Sequence, residues 1–144
     1  MGLTHFPHGV SSFGVPVFGG GLVTQGTPYF VKPSSGLDSN DGLSPAKAIK
    51  TLPRAHTLAT ANQNDVVYYF AEHNTAASTT DYQSATLTWS KNLVHLVGVG
   101  APSMVSQRSR IAQLSTATGV SPLVNITANG CYWANLQVFH GVAD

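Results

Sequence analysis

The sequence predicts a mainly β fold with one short helix and an extended N-terminal arm. Three observations carry that prediction. Charged residues make up 9% of the 144-residue chain, against the ~25% usual for soluble domains. Their place is taken by 15 Ala, 14 Gly, 14 Thr, 14 Ser and 8 Asn, a mixture that suits strands and tight turns and excludes helical bundles and coiled coils. Several short runs of β-forming residues follow a single amphipathic segment, and the first 27 residues hold no Asp, Glu, Lys or Arg. A mass of 15.1 kDa fits one core, so the expected division is an arm over residues 1–28 and a β domain over 29–144.

The arm sets Phe6, Phe13, Val15, Val17 and Phe18 among glycines, with Pro7 and Pro16. A disordered linker is polar or charged, whereas each of these side chains favours burial by about 1.5–3 kcal/mol. Such a segment either folds back over its own domain or lies along a neighbour's groove or sheet edge. The second is the expectation here, with those five residues as partner-binding anchors.

Tyr29-Phe30-Val31 opens the domain as a strand, and residues 33–42, rich in Pro, Ser, Gly, Asp and Asn, form a loop. Ser44-Pro45 begins a helical segment in two pieces, one over 46–50 and one from Thr51 as N-cap, because Pro53 fits a first turn and breaks an interior. Leu52, Ala55, Leu58 and Ala59 share one face of the second piece, which makes it a one-sided lid. Strands are expected at 66–70, 85–89, 93–97, 123–126 and 134–139. Segments 92–98 and 135–141 share an outline: Asn, then alternating apolar residues and His, then Gly, as successive coils of a solenoid would. The spacing predicts that 66–70, 93–97 and 136–139 stack as parallel strands of one face, with antiparallel hairpins as the competing arrangement.

These residues carry a resemblance. Tyr29-Phe30-Val31, the loop Gly36-Leu37-Asp38-Ser39-Asn40-Asp41-Gly42 with Ser44-Pro45, the segment from Lys50-Thr51-Leu52 to Ala59, and Asp65-Val66-Val67-Tyr68 resemble, in order, the opening strand, loop, capping helix and first rung of right-handed parallel β-helix proteins of the pectate-lyase-like superfamily. Leu93-Val94-His95-Leu96-Val97-Gly98 and Asn135-Leu136-Gln137-Val138 resemble later rungs. The resemblance implies a short β-helix with one N-terminal capping helix. With a rung-like strand last and no second cap after it, a partner or further chain is expected to cover that end.

The opening Thr4-His5-Phe6-Pro7-His8-Gly9-Val10-Ser11-Ser12-Phe13-Gly14-Val15-Pro16-Val17 is similar to the N-termini of tailed-bacteriophage virion proteins. What that implies is a structural virion protein of capsid decoration or cement type. It would be held to the major capsid protein or another virion protein by its arm, form a homo-oligomer with a trimer favoured, and be assembled in the host cytoplasm. The alternatives are a tail or tailspike-type module that binds or cleaves surface polysaccharide, and the N-terminal part of a larger β-helical virion protein.

Candidate chemistry is sparse. A net charge of +1 without a basic run gives no footprint for nucleic acid. No apolar stretch approaches the ~20 residues that span a bilayer, and a secretory signal is not expected. Cys131, the one cysteine, permits no intrachain disulfide and is expected to be a small buried apolar residue. Asp38, Asn40 and Asp41 echo a calcium loop but lack its bidentate Glu, so Asx-turns are expected there. His5 and His8 lie three apart in the arm, too few to hold a metal alone. The acids Asp38, Asp41, Asp65, Glu72, Asp81 and Asp144 are scattered, and Glu72-His73 is the one adjacent acid/base pair, on backbone that sends neighbours to opposite faces. Ser34 and Ser35 lack a nucleophile elbow, and Trp89, Tyr132 and Trp133 are expected to pack, with a sugar-stacking platform as the alternative. No enzyme activity, cofactor or metal is expected, and so few carboxylates predict a weak acid dependence of stability.

Overall fold

The computed structural model describes residues 11–12, 15–16, 26–71, 80–100 and 109–139. In the arm, strands β1 (Ser11–Ser12) and β2 (Val15–Pro16) pair antiparallel, Ser12 opposite Val15. Val15 is thus placed by its backbone alone, and the other arm anchors, Phe6, Phe13, Val17 and Phe18, lie outside the described residues.

The domain opens with β3 (Pro28–Val31). The loop after it turns back along the same strand: Lys32 N–H donates to Ile49 C=O and Ile49 N–H to Phe30 C=O, each at 2.8 Å. Gly36 is required there, since a Cβ would stand 2.2 Å from the Ile49 oxygen. The expected two-piece helical segment is present as a 3-10 turn (Pro45–Lys47) and helix α1 (Leu52–Leu58). Ser44 caps the turn and Thr51 the helix, each accepting a backbone N–H three residues on. Leu52 and Ala55 are fully buried and Ala59 nearly so, and Lys91 Nζ closes the far end of the helix by donating to the Thr57 and Ala59 carbonyls.

Eight strands follow: β4 (Val66–Phe70), β5 (Thr80–Gln83), β6 (Leu87–Trp89), β7 (His95–Val99), β8 (Ser109–Gln113), β9 (Val124–Ile126), β10 (Trp133–Ala134) and β11 (Leu136–Phe139). From β3 onward every strand pairing among the described residues is parallel. One sheet has the order β10-β7-β4-β3, with Tyr29, Val67, Leu96 and Trp133 in one register row. A second has the order β11-β8-β5, with Val138, Ile111 and Asp81 aligned. The third pairs β6 with β9, Trp89 opposite Ile126. The fold is therefore mainly β, built of parallel sheets with one α-helix, and the hairpin arrangement is absent from these sheets.

Two expectations need correction. Segment 66–70 does pair in parallel with the strand that follows 93–94, but 136–139 belongs to a different sheet, beside β8. The run 134–139 is two strands, because Asn135 takes φ 55° and turns the chain between them. Gly98 lies under that corner, where a Cβ would meet the Asn135 oxygen at 1.9 Å. Strands β5 and β8 carry Thr, Asp, Gln, Ser and Arg and give no apolar signal in the sequence.

The core fills the space between the three sheets and α1. Trp89, Tyr69, Ile49, Leu52, Leu96 and Ile111 are its largest fully buried side chains. Trp89 Nε1 donates to Val94 C=O at 2.9 Å, and Trp133 meets its ring edge-on at 5.2 Å. At about 25 cal/mol per Å² of apolar surface, such a residue contributes several kcal/mol.

Candidate functional site

The carboxylates are the natural place to look for chemistry, and the structure spends them on the backbone. Asp38 Oδ1 accepts the N–H groups of Lys50 and Thr51 at 3.0 and 2.9 Å, and its Oδ2 accepts the Thr51 hydroxyl. Asp41 accepts Leu43 N–H at 3.0 Å, the expected Asx-turn. Asn40 donates its carboxamide N–H to Ala48 C=O. Buried Asp65 accepts Thr27 N–H on one oxygen and Thr60 N–H on the other, both at 2.8 Å, and so ties the arm's exit and the end of α1 to the start of β4. Asp81 accepts Leu52 N–H at 2.7 Å. Glu72-His73, His5, His8 and Asp144 lie outside the described residues.

Asp81 is the carboxylate that sequence reasoning undervalued. It is 5% exposed, and its main-chain N–H donates to the Tyr69 hydroxyl, which in turn donates to Arg110 C=O. Burial, helped slightly by Asp38, raises its carboxyl to about 6. Burial also pushes the Tyr69 hydroxyl well above its ordinary value. Beside Asp81 runs an open cleft of about 310 Å³, lined by Thr51, Pro53 and residues 81–86. Asp81 is the one acid in that lining, and a hydrolytic pair needs two carboxyl groups in one groove, about 5–9.5 Å apart.

Gln83 Nε2, on the same strand, has no partner that meets hydrogen-bond geometry, though it stands near enough to Asp81 to favour the charged carboxylate. Its register neighbour Gln113 has an Oε1 equally without a partner. A donor and an acceptor stacked on adjacent parallel strands are one small rotation from a glutamine ladder, which explains both as structure and not as a ligand site.

Two histidine rings accept backbone N–H groups, His95 buried and His56 half-buried. His56 Nε2 accepts Ser90 and Lys91 N–H at 3.2 and 3.3 Å, and the ring lies 4.7 Å from that of Trp89. His95 Nδ1 accepts Tyr132 N–H at 3.1 Å, which leaves the proton on Nε2, 3.4 Å from Asn64 Oδ1. Burial lowers the pKa of both, and Lys91 adds to the effect at His56. Among the described residues no group of three or more His, Cys, Asp or Glu is placed to hold a metal. Likewise no helix there is long and apolar enough to cross a membrane.

The chain was compared with family models, curated proteins and solved structures. Nothing matches.

The aromatic trio does not form a platform. Trp89 is fully buried, Trp133 packs against its ring, and Tyr132 is 40% exposed. Cys131 is half-buried and not sealed in the core as expected, with Sγ 3.7 Å from Lys91 C=O. Exposed apolar side chains occur on the last strands, where Ile126, Val138 and Phe139 are 47%, 52% and 54% exposed, and in the loop after β3, where Leu37 and Leu43 are 60% and 53% exposed. The last strands are also uncharged, since residues 111–143 contain no Asp, Glu, Lys or Arg. The arrangement offers contact surface and has no assembled reaction centre among the described residues.

Proposed function

We propose that the chain is a structural, non-enzymatic virion protein of a tailed bacteriophage, a capsid decoration or cement protein held to the capsid lattice by its N-terminal arm. The fold proposed for it is a short right-handed parallel β-helix in which three strands make one coil. Support for the coils comes from the pairing order, where β4 neighbours β7 and β7 neighbours β10, while β5, β8 and β11 line up beside them and β6 pairs with β9. Support for a structural role comes from one observation above all: Asp38, Asp41, Asp65 and Asp81 each accept backbone N–H groups. A carboxylate so engaged holds loops and strand ends, and is poorly free to transfer protons to a substrate. The virion assignment rests on the similarity of the arm's sequence, together with its five apolar anchors and absence of charge.

The test is decoration of particles that lack the protein, by the full chain and by a chain without residues 1–25. Thr27 is kept because its N–H and C=O are bonded to Asp65 and Val66. The full chain is expected to occupy the particle surface in cryo-EM density. The truncated chain should stay β-rich by circular dichroism and fail to bind, and Phe13→Ala should lower occupancy. Absence of the full chain from particles overturns the virion reading. Full occupancy by the truncated chain, or its failure to fold, makes the arm a cover for its own core.

A further inference from the structure

Asn129 and Gly130 lie exposed in the turn between β9 and β10, and no other Asn in the chain is followed by Gly. The turn is held through the main chain of Asn129. Its N–H donates to Asn92 Oδ1 at 2.9 Å, and its C=O accepts Leu93 N–H at 3.0 Å. Two polar groups are left over: among the described residues neither the Asn129 carboxamide nor the Gly130 N–H has a hydrogen-bond partner. Gly130 takes φ 68°, a conformation that costs glycine little.

The amide nitrogen that follows an Asn is one ring closure away from the side-chain carbonyl carbon, Cγ. Both groups belong to one residue pair, so their encounter is intramolecular and needs no binding step. What obstructs it is a following side chain that crowds the nitrogen, or a hydrogen bond that occupies it. Both obstacles stand at Asn92, which precedes Leu93, whose N–H is engaged by Asn129 C=O. Asn125 lies within β9 before Ile126, and Asn135 leads into β11 through Leu136. Asn40 precedes Asp41 and gives its carboxamide to Ala48 C=O. At Gly130 neither obstacle exists.

We propose that Asn129-Gly130 is a self-modifying site, at which the folded chain converts Asn129 through a cyclic imide into isoaspartate and aspartate, with water as the co-reactant. The Gly130 nitrogen attacks Asn129 Cγ. The N–Cγ bond forms, the Cγ–Nδ2 bond breaks, and the proton lost from Gly130 leaves with the amide nitrogen as ammonia. Closure consumes the Gly130 N–H alone and leaves Asn129 N–H and C=O to their present partners. Water then opens the imide at either carbonyl, and no electrons are exchanged. Opening at Cγ leaves an ordinary aspartate. Opening at the α-carbonyl routes the chain through Cγ, which adds a methylene to the main chain and turns the acceptor of Leu93 N–H into a free carboxylate. Either product places a negative charge in residues 111–143, which otherwise carry no Asp, Glu, Lys or Arg. The reaction needs this turn and water, whatever the chain binds.

Peptide mapping by mass spectrometry tests it, on the full chain incubated at neutral pH in native buffer and in urea. Conversion at Asn129 is expected to run at least about tenfold faster than at any other Asn of the native chain, and within about tenfold of its own rate in urea. Isoaspartate, read by its methylation with an isoaspartyl methyltransferase, should exceed aspartate. Asn129→Gln, whose ring would be six-membered, should abolish conversion at this position. It replaces a side chain that makes no hydrogen bond, so the far-UV circular dichroism should not change. That variant is preferred to Gly130→Ala, whose Cβ would stand 2.6 Å from Leu93 Cδ2. Native conversion more than about tenfold slower than in urea means that the fold protects the turn, and overturns the proposal. Conversion led by another Asn, aspartate formed without isoaspartate, or undiminished conversion of the Gln variant does the same.

Discussion

Burial lifts the Asp81 carboxyl from its ordinary 3.8 to about 6. A folded value above the unfolded one means that the native state prefers the protonated acid. Its contribution is full below about 3.8 and is lost as pH rises through about 6, so at pH 7 the ionised group costs up to about 3 kcal/mol. His56 and His95 are shifted the other way, below 6.5. Their contribution is full above 6.5 and declines as pH falls from there toward the folded values, because protonating His56 Nε2 removes the acceptor for Ser90 and Lys91. Between pH 6.5 and 4 the acid and the imidazoles oppose each other. The flat profile expected from few carboxylates thus gains a further cause. Asp81→Asn keeps an acceptor for Leu52 N–H and removes the charge. Urea unfolding should show it about 1–3 kcal/mol more stable than wild type at pH 7 and little changed at pH 4, hence steeper on acidification. Trp89→Ala, by contrast, should cost about 3–5 kcal/mol at any pH, since it empties the centre of the core.

At the scale of elements, the cap was legible and half of the sheets were not. Ser44, Thr51 and Pro53 announce where the helical pieces start because capping and proline geometry are local. Asp38 completes that local device with three bonds to Lys50 and Thr51, and Asp38→Ala should lower the unfolding midpoint by an amount equivalent to about 1–2 kcal/mol. β4 and β7 were legible through continuous apolar runs. β5 and β8 were not, because Thr80-Asp81-Tyr82-Gln83 turns Asp81 and Gln83 inward, and the group that makes the Asp81 position acceptable, Leu52 N–H, lies far away in sequence. Asp81 escaped notice as the one buried acid beside a cleft for the same reason. The β10–β11 corner depends on Asn135 at φ 55°, a conformation that Asn tolerates without requiring it. Asn135→Ala should cost about 1 kcal/mol in equilibrium unfolding, and Asn135→Gly less.

For the whole molecule, the pairing order has a consequence in time. Within each sheet the strands of β4 to β11 are laddered only to their immediate neighbours, so the hydrogen-bonded order runs from strand to strand like a zipper fastened at one end. Asp65 is the fastener. Its side chain holds Thr27 and Thr60 while its carbonyl accepts His95 N–H, joining the cap to two successive strands of the first sheet. Amide hydrogens in β4 and β7, paired on both sides, should exchange with deuterium slowest, and those in β9, β10 and β11 fastest, through fraying that leaves the cap intact.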